Sequence, residues 1–125
     1  IPLSNLRVHE VSPMLSDDGN IAKILSDAKN YGAVICFSDL LAMKVCMLLR
    51  GMSLEIPKDI SVIGFDDIVS KFALPIMLSS VSSSKTLMSS KAVEFLFELI
   101  GGKKAENLRA VLPTELVRRE TTKNI

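Results

Sequence analysis

The sequence predicts an α/β fold, a parallel sheet flanked by helices, from three observations. Two short runs, 33–37 (AVICF) and 61–65 (SVIGF), are continuously apolar rather than alternating, the pattern of strands covered on both faces. Each is followed at once by residues that cap helices, Ser38 after the first and Asp66-Asp67 after the second. Strand-like and helix-like stretches then alternate at the spacing of βαβ units.

The elements follow in order. Residues 7–11 predict a first, weakly patterned strand. Asp17-Asp18-Gly19 leads into a helix over 20–30, with Ile21, Ile24, Leu25 and Ala28 on one face. Ser38 caps a helix over 39–50 that Gly51 stops, and Asp66 or Asp67 caps a short helix through Lys71. Leu74-Pro75 opens a strand over 77–81, and a long helix over 85–100 ends at Gly101-Gly102. Short extended pieces at 111–113 and 116–118 close the chain.

At 125 residues the chain has room for one domain with a sizeable core. Its net charge of +1 gives no reason to expect nucleic-acid binding, and the Lys103-Lys104 and Arg118-Arg119 pairs read as solvated edges. Cys36 and Cys46 sit in apolar runs and read as buried free thiols, which points to a reducing, cytoplasmic compartment. No stretch is long enough for a membrane span. The opening Ile1-Pro2-Leu3-Ser4 is neither a signal peptide nor an initiator, so the chain reads as cut from a longer protein.

Catalysis finds no footing. The single histidine, His9, has no nucleophile placed beside it, and no phosphate loop, dinucleotide fingerprint or nucleophile elbow is present. Cysteine and histidine lack metal-ligand spacing, so neither a metal nor a cofactor is expected. Met43, Met47 and Met52 recur on or just beyond one helix and read as core filler or interface.

In open α/β sheets ligands bind beyond the carboxyl ends of the strands. That rule selects Ser38-Asp39, Asp66-Asp67 and Ser82-Ser83, each directly after a predicted strand. Their hydroxyls and carboxylates suit a hydroxylated or amine-bearing ligand. The competing reading is that Ser38 and one of the aspartates merely cap helices.

Four ordered motifs carry a resemblance. Residues 56–67, IPKDISVIGFDD, resemble the V-P-x-D-I-S-V-x-G-[FY]-D-[DN] of the LacI/GalR family of bacterial transcriptional regulators. Phe37-Ser38-Asp39-Leu40-Leu41-Ala42 resembles that family's C-x-[NS]-D-x-[ML]-A, and Leu78-Ser79-Ser80-Val81 its L-T-T-[VI]. Residues 112–121, LPTELVRRET, are similar to its closing L-P-x-x-L-[VI]-x-R-x-[ST]. Together they cover essentially the whole chain.

The resemblance implies an incomplete periplasmic-binding-protein-like (type I) effector domain, with a ligand held between two α/β subdomains. Residues 1–81 and 109–125 would belong to the C-terminal subdomain. Residues 82–108 would be the crossover and a helix of an otherwise missing N-terminal subdomain. The implied partners are a small-molecule effector, a sugar or related metabolite, and a second copy of the chain. Operator DNA would be reached only through an N-terminal domain absent here.

By the same resemblance Asp66 matches the effector-binding aspartate, Ser38 a pocket Asn/Ser position, and Ser83 a polar position after the crossover strand. Met14 falls where an aromatic ring commonly stacks on the ligand. The family's helix glycines are replaced by Lys44 and Ser89, and its Gln-Pro by Ser83-Ser84, which marks a divergent member. The alternatives are a periplasmic sugar-binding protein fragment and a magnesium-dependent phosphoacceptor using Asp66 or Asp67.

Overall fold

The computed structural model describes residues 5–11, 18–68 and 76–123. Its elements are α1 (Asp18–Leu25), β1 (Ala33–Ile35), α2 (Asp39–Gly51), β2 (Ser61–Phe65), β3 (Ser79–Ser83), α3 (Lys85–Ile100) and β4 (Thr114–Val117). Single 3-10 turns lie at Ala28–Asn30 and Ala105–Asn107. The four strands form one sheet in the order β1-β2-β3-β4.

The first three strands are parallel, with Ile35 opposite Ile63 and Phe65 opposite Val81. The expected all-parallel sheet needs one correction, because β4 runs antiparallel to β3 with Thr114 opposite Ser83. The chain leaves the carboxyl end of β3 through α3 and returns to that same end, so its last strand must run back.

The core lies between α1, α2 and one face of the sheet. Leu41, Ala42, Val45, Cys46 and Leu49 form the buried stripe of α2, at helical spacing. They meet Cys36, Val62 and Leu78 from the sheet side and Ile21 and Leu25 of α1. Each large side chain buried there contributes about 1.5–3 kcal/mol. The opposite face was expected to be covered too, yet Ile35 is 72% exposed and Phe37 61%. Among the described residues that second face is therefore open along β1, while Ser79, on the same face of β3, is fully buried. Helix α3 stands apart and has no buried residue, with Phe97 at 69% and Ile100 at 74% exposure.

Several local expectations shift for visible reasons. Residues 7–11 form no strand; among the described residues β1 pairs with β2 alone, and Arg7 lies over the Tyr31 ring at 6.0 Å. The helix expected over 20–30 stops at Leu25, where the Ser26 hydroxyl and amide both donate to the Lys23 carbonyl and tighten the turn. Gly51 is the last residue of α2 rather than its stop, and the reversal falls at Ser53 with φ 60°.

The third strand starts two residues later than expected. Met77 is held instead by Glu120, whose carboxylate accepts from the Met77 amide at 2.9 Å. Residues 111–113 are not a strand, and the closing extended piece is Thr114–Val117. Of the short helix expected from Asp66 or Asp67 through Lys71, residues 66–68 are not helical and the rest lies outside the described residues. Lys44, at a usual glycine position, forms an ion pair with Asp18 and ties α2 to α1. No helix among the described residues is long and apolar enough to cross a membrane.

Candidate functional site

Ser38, Asp66 and Ser83 sit at the same ends of three neighbouring parallel strands. Asp66 directly follows β2, Ser83 is the last residue of β3 rather than a residue beyond it, and Ser38 lies three residues past β1. Met14 lies outside the described residues.

Ser38 caps α2, its hydroxyl accepting from the Leu41 amide at 3.3 Å. The capping role therefore holds for this residue. A hydroxyl that accepts still has its proton to donate, so capping does not use up its capacity for a ligand.

Asp66 and Asp67 both have positive φ, 95° and 49°. For residues with a Cβ this is the left-handed region, which costs of order 1–3 kcal/mol per residue and persists only where the surroundings over-determine it. Here they do. The Asp66 amide donates to the Val81 carbonyl at 2.9 Å, and its own carbonyl accepts from the Lys85 ammonium. The Asp67 amide donates to the Ser80 hydroxyl at 3.0 Å, and the Ile68 amide to Asp39 Oδ2 at 2.7 Å.

The two carboxylates of the pair have different fates. Asp67 Oδ1 meets the Arg119 guanidinium at 2.7 Å as an ion pair, though not along a well-aligned hydrogen bond. The same Arg119 nitrogen donates to the Leu78 carbonyl at 2.7 Å. Asp66 is half-buried, and its carboxylate makes no hydrogen bond or ion pair with any described residue. The second aspartate is spent on structure and the first is left with open acceptors.

Three residues of this neighbourhood have roles that the sequence reading did not assign. Asp39, selected with Ser38 as a residue at a strand end open to ligand, is instead fully buried. Ser80 is fully buried too, and its hydroxyl donates to Asp39 Oδ1 at 2.5 Å. Arg119, read as a solvated edge, is only 15% exposed in its side chain. A signal existed for the first: glycine inside a strand often marks close approach by another chain segment. A Cβ at Gly64 would lie 2.2 Å from Asp39 Oδ1.

No group of three or more metal-ligating side chains occurs among the described residues. Both cysteines are buried and free. Burial pushes the Cys36 thiol up to about 12 and the Cys46 thiol to about 11, so both are inert core groups. A shallow depression is lined by Pro57, Met77, Arg119, Glu120, Thr122 and Lys123, and does not include Asp66.

The fold is an α/β domain with a mixed sheet, the class in which ligands sit beyond the carboxyl ends of the strands. The chain belongs to the periplasmic binding protein-like domain family, whose profile matches residues 3–122. It is 36% identical over 107 residues to the HTH-type transcriptional regulator MalR of Clostridium butyricum, covering 85% of this chain and 31% of that protein.

Among solved structures it resembles a LacI family transcriptional regulator from Arthrobacter sp. FB24 in complex with lactose. The TM-score is 0.74 at 29% identity, over 85% of this chain and 41% of that one. It also resembles the lac repressor dimer bound to operator and the anti-inducer ONPF, with a TM-score of 0.71 at 25% identity over 83% of this chain and 36% of the other. The chain thus spans about a third of the length of the relatives it matches.

Proposed function

We propose that this chain is the effector-binding and dimerisation portion of a LacI/GalR-type transcriptional regulator that senses a sugar or related metabolite in the cytoplasm. The observation that carries the reading is the open carboxylate of Asp66, held out by a strained turn whose other polar groups are engaged. It accepts hydrogen bonds from ligand hydroxyls, with the Ser38 and Ser83 hydroxyls on the neighbouring strands as further contacts. Met14 supplies an apolar contact where a ring would stack.

This chain forms one wall of the cleft. Residues 1–81 and 109–125 belong to one subdomain, and 82–108 reach across to the other. The absence of any buried residue on α3 supports that division, since its apolar face awaits a partner. Operator binding belongs to a separate N-terminal domain, and the chain performs no chemistry on its ligand. The test is a thermal-shift screen of the full-length protein against lactose and other free mono- and disaccharides. A stabilising sugar that also changes operator affinity supports the reading. Phosphorylation of Asp66 or Asp67 by acetyl phosphate with magnesium, and no response to any small molecule, contradicts it.

A further inference from the structure

We infer that Asp39 is the positioning residue of the effector site, holding Asp66 in the one backbone conformation that leaves its carboxylate open. The inference rests on the effector reading of Asp66 for its meaning but not for its geometry. Asp39 is fully buried and cannot touch a ligand itself. A carboxylate that only complements the helix dipole has no need of burial, and burying one is costly unless both oxygens are satisfied.

One oxygen serves the turn after β2 directly and the other through Ser80 of β3. Oδ2 accepts from the Ile68 amide at 2.7 Å. Oδ1 accepts at 2.5 Å from the Ser80 hydroxyl, which in turn accepts from the Asp67 amide at 3.0 Å. The two amides that follow Asp66 are thus anchored, directly or through one hydroxyl, on a single carboxylate. Arg119 draws the Asp67 side chain inward as well. With residues 67 and 68 tied down, Asp66 is kept at φ 95°.

The sheet is shaped to admit this carboxylate. A Cβ at Gly64 would stand 2.2 Å from Oδ1 and 3.2 Å from the Asp39 Cα, so only glycine lets α2 present Asp39 so near β2. Three residues from three elements, Asp39 of α2, Gly64 of β2 and Ser80 of β3, and a fourth, Arg119 after β4, therefore serve one turn.

The test is the crystal structure and amide exchange of the full-length protein carrying Asp39→Ala, Ser80→Ala or Ser80→Thr. Thr121→Val is the control, because Thr121 is equally buried but hydrogen-bonds Val62 and Ser79 rather than the turn. In Ser80→Ala and Asp39→Ala, Asp66 relaxes to negative φ and its amide exchanges at least about tenfold faster, from loss of the Val81 bond. Ser80→Thr, which keeps the hydroxyl, restores both, and Thr121→Val lowers the melting temperature without moving the turn. If Asp39→Ala fails to fold, Ser80→Ala alone decides. Asp66 still at positive φ and bonded to Val81 in that variant overturns the inference. An Asp66→Ala protein with an unaltered turn and an undiminished response to the stabilising sugar sinks the effector reading instead, leaving the positioning of residue 66 standing.

Discussion

Gly64→Ala is the smallest change that should disable the turn, by adding one methyl to the middle of β2. The new Cβ would lie 2.2 Å from Asp39 Oδ1, 2.9 Å from Leu78 Cδ2 and 3.2 Å from the Asp39 Cα. The leucine tip can rotate, but it is 1% exposed and has little room. The carboxylate must move, and moving it breaks its 2.5 Å bond with Ser80. Overpacking of this kind costs about 1–3 kcal/mol, and a lost hydrogen bond to a charged group about 1.5–3 kcal/mol. The sum, about 2.5–6 kcal/mol, is a large part of a small domain's stability, and at about 4 °C per kcal/mol it lowers the melting temperature by about 10 °C or more. Gly32→Ala, where a Cβ meets nothing within 4 Å, is the matched control and stays close to wild type. Urea denaturation of Gly64→Ala, Asp39→Ala and the double variant then forms a cycle. Because the worst clash is with the carboxylate, the methyl costs about 1–3 kcal/mol less once Asp39 is alanine. Strictly additive losses would refute the reasoning.

Three further outcomes are expected. Cys36 and Cys46 resist iodoacetamide at pH 8 in the folded protein and react fully in guanidinium; fast alkylation of either under native conditions contradicts their burial. Their folded pKa values, about 12 and about 11, lie above the ordinary 9.0, so the unfolded chain loses these protons first and stability falls from pH 9 up to about pH 12, which pH-dependent urea melts measure. The isolated 125-residue chain self-associates through the exposed face of α3, and Phe97→Glu with Ile100→Glu shifts it toward monomer by light scattering; a wild-type monomer at micromolar concentration refutes this. It also binds neither operator DNA nor effector tightly, and micromolar effector binding by calorimetry would count against a one-walled cleft.

How much of this was legible in the sequence depended on whether local pattern decided the structure. The continuous apolar runs of β1 and β2 and the Ser38 cap are local, and α3 spans the expected residues 85–100. The third strand was not so legible, because Ser79–Ser83 is rich in hydroxyls and becomes a strand through pairing with β2 and β4. Residues 7–11 have strand-like composition but no ladder to join. The open second face of the sheet was hidden for a related reason: a continuous apolar run says that both faces prefer cover, not that this chain supplies it. At the site, spacing placed Ser38, Asp66 and Ser83 on neighbouring strand ends, while the bonds of Ser80 to Asp39 and of Arg119 to Leu78 each join residues 41 positions apart and leave no local signature. Their residues lie within the family-like motifs, so the pattern was visible before its physical reason was.

The central claim, that the open carboxylate of Asp66 meets the effector, is tested most directly by titrating the full-length protein and its Asp66→Ala variant. The titrant is the sugar that stabilises the wild type, followed by calorimetry, with operator affinity measured in parallel by mobility shift. The account predicts that the variant loses about tenfold or more in sugar affinity, as expected for a hydrogen-bonded charged contact, while its operator affinity without sugar stays within about twofold of wild type. Sugar affinity unchanged in a folded Asp66→Ala protein would contradict it.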